Sequence, residues 1–327
     1  MIEVMKNYKR YIWISADNNI KDWKEELLYL KAKRFDGIVF SGDFEQTEKI
    51  SEIALSLQLE FHVWFITLLN NNDQLITDHP EYFMINKIEI SILHQPPYVE
   101  YYKWLCPNNP QVRDYLLSQL KSYCKIRNIT GIQLDYIRYP DVILPPACQR
   151  EYSLVQEKEE PQYDYCYCSN CRQEFLSSTG IDPLKIIEAA QAYTWLQFRL
   201  NTISRFVKEI SQLVRSYGKQ ISAAVFPTPK IARELVRQDW LNWGLDAYFP
   251  MVYHNFYDRN INWIGKVVEE IKPKLRESEL YPGIYLPSIS ASDIDYIDGM
   301  VKKNGAGGIS WFDYKYLKTR SEYFFPG

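Results

Sequence analysis

Short apolar runs alternate with amphipathic stretches along most of the chain. YIWIS (11–15) reads as a buried strand, and IKDWKEELLYLKAKR (20–34) as a helix with one apolar face. The alternation continues with expected strands at 36–43, 59–69, 131–140, 220–226, 245–255, 280–288 and 306–314. Helical patterns separate them at 47–58, 109–127, 232–243, 261–275 and 290–304, with a longer helical region ending at Tyr217. Pro110 falls in the first turn of its helix, where a missing N–H costs little. Eight strands with helices between them predict parallel pairing, and the simplest closure is an α/β fold of the (β/α)8 TIM-barrel type. A doubly wound sheet is the alternative architecture. The expected organisation is a single barrel domain over residues 1–327. Long insertions follow strands three and four, at about 70–108 and 141–181, on the C-terminal face.

Barrels of this kind place chemistry at the C-terminal strand ends and stability at the opposite face. That polarity sorts the acids. Asp36 and Asp246 precede their strands and read as structural. Asp17, Asp43, Asp135 and Asp313 follow theirs and are expected at one mouth, with Tyr253, His254 and Trp311. The stretch GIQLDYIRYPD (131–141) starts as a strand and then delivers Asp135, Tyr136 and Arg138 to its end. Asp135 is the first catalytic candidate, with Asp313 or Asp43 as its partner. Arg138 is placed either to grip a substrate oxygen through its guanidinium fork or to brace the loop against a carboxylate. Asp17 either contacts substrate or caps the helix expected near Ile20. Neighbours on a strand alternate in direction, so one of Trp311 and Phe312 faces the core. The same parity question applies to Tyr253 and His254. Carboxyl groups around an aromatic mouth suit glycoside hydrolysis, in which one donates a proton and another attacks the sugar or activates water.

Composition sharpens this picture. The 327 residues include 26 Tyr, 15 Phe and 9 Trp, and such rings with polar tips suit sugar binding as well as a bulky core. The formal net charge is −3, with no long basic run, which argues against a nucleic-acid partner. No run of about 18 apolar residues predicts a membrane span. The N-terminal stretch MIEVMKNYKRYIWIS has no apolar signal core. CYCSNC (166–171) groups Cys166, Cys168 and Cys171, the last two at C-x-x-C spacing, with Cys148 in the same insertion. This reads either as a structural zinc site of those four residues or as buried or disulfide-bonded cysteine that steadies a long loop. Catalysis itself is expected to need no cofactor.

Taken together, HPEYFMIN (79–86), YYKWLCPNNPQVRDYL (101–116), GIQLDYIRYPD, CYCSNCRQEF (166–175), DAYFPMVYHN (246–255) and GISWFDY (308–314) resemble the bacterial glycoside-hydrolase-like proteins of "family 10-like" (β/α)8 type. The resemblance implies a carbohydrate-active barrel, often exported, that acts on a poly- or oligosaccharide, with Asp135 as the acid after strand four. True family 10 xylanases use glutamates after strands four and seven; here strand seven, GIYLPS, carries no acid, so the xylanase reaction is not implied. Insertion aromatics such as Trp104 are candidates for the cleft wall. The alternative function is a non-catalytic carbohydrate-binding barrel. A metal-dependent hydrolase would need converging His and Asp ligands, and only His62, His79, His94 and His254 exist.

Overall fold

The computed structural model describes residues 8–319. Residues 1–7, part of the stretch read above for an export signal, lie outside the described residues. Nine strands form one parallel sheet: β1 Lys9–Ser15, β2 Gly37–Ser41, β3 Glu60–Ile66, β4 Gly131–Asp135, β5 Gln220–Val225, β6 Ala247–Pro250, β7 Glu279–Leu280, β8 Gly283–Tyr285 and β9 Gly308–Phe312. Their order is β7-β6-β5-β4-β3-β2-β1-β9-β8. The two ends of that order, β7 and β8, are separated in the chain by Tyr281 and Pro282 alone. The sheet therefore curls until both of its ends belong to one segment, which bonds to β6 on one side and to β9 on the other. The single strand expected at 280–288 is thus two short ones. Pro282 has no N–H to give a ladder, and its carbonyl instead accepts Ser310 N–H at 3.0 Å.

The helices are α1 Trp23–Ala32, α2 Phe44–Ser56, α3 Asp73–Asp78, α4 Pro110–Cys124, α5 Pro146–Glu151, α6 Ser169–Thr179, α7 Ala189–Ser216, α8 Pro229–Val236, α9 Asn262–Ile271, α10 Asp293–Lys303 and α11 Tyr314–Thr319. The large core lies between sheet and helices, built from outward strand residues such as Ile12, Ile14, Ile38, Phe40 and Leu134. A second, smaller cluster fills the inside of the curl: Tyr11, Trp13, Val39, Phe249 and Tyr281, with Trp64 and Phe312 against it. The two clusters are the two faces of the same strands, as period-two alternation requires. Gly131 is needed where β4 enters, because a Cβ there would meet the Gln220 carbonyl oxygen at 2.5 Å.

The N-terminal rim of the sheet is tied by charge. Glu60 bonds Lys9 at 2.5 Å and the Tyr11 hydroxyl at 2.6 Å. Burial alone would push its pKa up, but the His62 ring 3.6 Å away and the hydrogen bonds from Lys9 and Tyr11 outweigh that and hold it at about 2. Arg10 pairs with Asp298 at 3.0 Å. Asp36 accepts Arg10 N–H at 2.8 Å, while Asp246 accepts Ile221 N–H at 2.8 Å and pairs with Arg215 at 2.9 Å. Both acids are therefore structural, as their position ahead of a strand implies. The C-terminal rim carries the long connections, residues 67–109 between β3 and α4 and 136–188 between β4 and α7.

Candidate active site

At the C-terminal end of β4 the chain leaves the sheet abruptly. Tyr136 takes a left-handed conformation, φ +52°, which is costly for a side chain of its size. That turn sets the Tyr136 N–H against Asp135 Oδ1 at 2.7 Å. The Trp64 indole N–H, from the inner face of β3, reaches Asp135 Oδ2 at 2.8 Å. Asp135 is 7 % exposed. Burial raises its pKa, against the opposing effects of the two hydrogen bonds and the Arg138 charge. The carboxyl is thus fixed in place, with burial opposing its anion and two donated hydrogen bonds supporting it.

Asp135 opens into a cavity of about 360 Å3. Trp13, Trp64, Tyr136, Tyr253, Tyr285 and Phe312 line it with rings, and Arg138 and Asp141 stand in its wall. Tyr253 and Tyr285 both lean on Phe312 at 27°, with ring centroids 5.8 and 6.3 Å away. Tyr253 and Tyr285 are themselves 5.4 Å apart at 37°, so the three rings pack together as one aromatic wall of the cavity. Arg138 donates to Asp141 Oδ2 at 2.9 Å, to the Tyr139 carbonyl at 3.0 Å and to the Tyr102 hydroxyl at 3.0 Å. Its guanidinium lies 4.8 Å from the Trp104 ring centre. Of the two roles open to Arg138, bracing the loop is realised, through Asp141.

Asp313 follows Phe312 at the end of β9. It is half-buried and stands beside the cavity rather than in its lining, which ends at Phe312; its Oδ1 is shielded from solvent and has no hydrogen-bond partner among the described residues. Burial raises its pKa, opposed by the Tyr316 and Lys315 backbone N–H groups and by the Lys315 charge. The Tyr253 hydroxyl is buried, and both Asp135 and Asp313 lie within electrostatic reach of it.

The other expected site residues lie elsewhere. Asp43 is exposed and caps α2: its Oδ1 accepts Gln46 N–H at 2.8 Å, and the Gln46 side chain returns to Asp43 N–H at 3.0 Å. Asp17 is exposed in a turn after β1, and the cap of α1 is Asp22, not Asp17. Trp311 is fully buried in the helix-facing core, because Phe312 takes the inward parity. Trp104 is buried behind the wall, against Arg138 and Tyr136. His254 is buried outside the cavity lining, its pKa lowered by burial. Trp13, Trp64 and Asp141 were missed. The signal for the first two was strand parity, since each lies two residues from another inward side chain. Cys148 also departs from expectation. It lines the cavity from α5, and Cys106 takes its place beside Cys166, Cys168 and Cys171.

A family model described as "Glycosyl hydrolase-like 10" matches residues 42–280. The chain belongs to that family. A search of curated proteins gives no match. Among solved structures, this glycosyl hydrolase-like 10 chain is similar to the PgaB (BpsB) glycoside hydrolase domain from Bordetella bronchiseptica, with a TM-score of 0.71, 10% identity and 96% of each chain covered. It is also similar to an alpha-L-fucosidase, isoenzyme 2, from Paenibacillus thiaminolyticus (TM-score 0.64, 12% identity, 97% of this chain and 48% of that one). A beta-galactosidase from Rahnella sp. R3 follows (TM-score 0.63, 10% identity, 95% and 51%). The chain spans about half the length of the last two. At these identities the likeness is one of fold, and the fold is that of glycoside hydrolases of the TIM-barrel type. No described helix is long and apolar enough to cross a membrane.

Proposed function

We propose that the protein is a glycoside hydrolase that cleaves O-glycosidic bonds of a poly- or oligosaccharide, with Asp135 and Asp313 as its carboxyl pair. The observation that carries this reading is the setting of those two acids. Both stand at C-terminal strand ends within electrostatic reach of Tyr253, burial raises the pKa of both, and Asp135 opens into a cavity whose aromatic wall includes Phe312, the neighbour of Asp313. A glycosidase needs one carboxyl that holds a proton and one that is ionised. Two donated hydrogen bonds favour the anion of Asp135, which we assign to attack or to activation of water. Asp313, whose pKa burial raises and which accepts no side-chain hydrogen bond among the described residues, we assign as the proton donor to the leaving oxygen. Tyr253, Tyr285 and Phe312 hold the sugar ring, and the connections after β3 and β4, read as insertions on a (β/α)8 barrel, shape the cleft around it.

A screen of glycans for release of reducing ends tests the proposal, run with the protein and with Asp135→Asn. The active glycan is expected to lose turnover by about 100- to 10,000-fold in the variant while its affinity is kept. Binding of glycans with no release from any of them would replace the enzyme by a carbohydrate-binding barrel. Neither binding nor release would remove both readings.

A further inference from the structure

Four cysteines from two separate connections meet in the main core. Cys106 stands just ahead of α4, Cys166 and Cys168 precede α6, and Cys171 is in the first turn of α6. All four are buried, and their sulfurs lie within 4.8 Å of one another. Cys106 Sγ is 3.5 Å from Cys168 Sγ and 3.5 Å from Cys171 Sγ. That spacing is far beyond the roughly 2.05 Å of a disulfide. It is close to the edge of a thiolate tetrahedron around zinc, about 3.8 Å for zinc–sulfur bonds of about 2.3 Å.

We infer that Cys106, Cys166, Cys168 and Cys171 hold one structural zinc ion. The donor set suits the ion: four soft ligands, each giving up its proton as it binds, and two of them at C-x-x-C spacing on a helix start. Cys168 is the N-cap of α6, an eleven-residue helix whose first-turn N–H groups favour a thiolate there. With four protein ligands the site is closed and has no position for substrate. Its role is mechanical. The zinc joins the β3–α4 connection to the β4–α7 connection, reinforcing the Tyr167 N–H to Ile85 carbonyl bond of 2.7 Å and the Asn108 to Asn170 bond of 3.3 Å. Tyr139, one residue past Arg138, is buried within electrostatic reach of three of the four sulfurs, so the clamp bears directly on the loop that carries Arg138.

The test is elemental analysis of the whole chain, purified without chelator. About one zinc per chain is expected for the unaltered protein and for Cys148→Ser, and less than about a tenth for Cys106→Ser and Cys171→Ser. Should the last two variants prove insoluble, the unaltered protein decides. A mercurial that titrates its thiols should release zinc to a chromogenic chelator, and cobalt exchanged into the site should show thiolate-to-metal absorption. Iron in place of zinc, disulfides linking the four cysteines in a non-reduced digest, or zinc lost in Cys148→Ser and kept in Cys106→Ser would each overturn the assignment. So would a mercurial titration that releases no zinc.

Discussion

Asp36 and Asp135 sit at opposite ends of the parallel sheet, and their partners differ accordingly. Asp36 takes the backbone N–H of Arg10 and ties the rim together. Asp135 takes an indole and its neighbour's N–H, and faces a cavity. Burial raises the folded-state pKa of Asp135 above its ordinary value. Folding then favours the protonated form. The stability tied to this group is fully present below the unfolded pKa, near 3.9, and is lost as pH rises through the higher folded value. Asp135→Asn fixes the side chain in a neutral form. It should therefore raise the melting temperature at neutral pH, by roughly 2–4 °C for each kcal/mol relieved, and the gain should vanish below about pH 4. Thermal melts across that range read this directly, and equal melting temperatures at neutral pH would mean that burial does not strain the carboxyl. The position of Asp135 was legible in GIQLDYIRYPD, where polar residues break an apolar strand. Its indole partner Trp64 was not singled out, because the contact joins residues 71 apart across two strands.

At the scale of elements, the periodic segments were readable and the aperiodic ones were not. Strands β2 to β6 and β9 fall inside their expected ranges, and β1 begins two residues ahead of its own, since each is an apolar run with β-branched or aromatic residues. The short helices α3, α5 and α6 lie in long polar and aromatic connections whose spacing has no helical period. Position after a strand also proved too coarse a guide to the acids. Asp43 follows β2 as Asp135 follows β4, yet it begins a helix at once, and a capping box takes its carboxylate. Asp43→Ala should cost about 1 kcal/mol in urea unfolding and leave kcat and KM on the active glycan unchanged. A large fall in kcat would return Asp43 to the catalytic set. The fourth cysteine illustrates a related limit. Cys148 shares an insertion with the other three, whereas Cys106 comes from the preceding connection, and only packing of one against the other brings its sulfur into the group.

The whole molecule divides its labour between the two ends of one curled sheet. Ion pairs such as Lys9–Glu60, Arg10–Asp298 and Arg215–Asp246 close the N-terminal end. The C-terminal end buries Asp135 in a cavity lined by aromatic rings and by residues of the two long connections, with Asp313 half-buried beside it. The parallel, TIM-barrel-type fold followed from the alternation of strands and helices. The pairing of Asp135 with Asp313 depends on the curl bringing β4 and β9 around one hollow, with Tyr253 of the chain after β6 within electrostatic reach of both. The most direct test is therefore the turnover of Asp135→Asn, Asp313→Asn and the double variant on the active glycan. Two carboxyls serving one reaction predict a fall of at least about 100-fold in each single variant, with the double variant little worse than the more damaged single one. Full turnover in Asp313→Asn, or losses that simply multiply in the double variant, would contradict the pair.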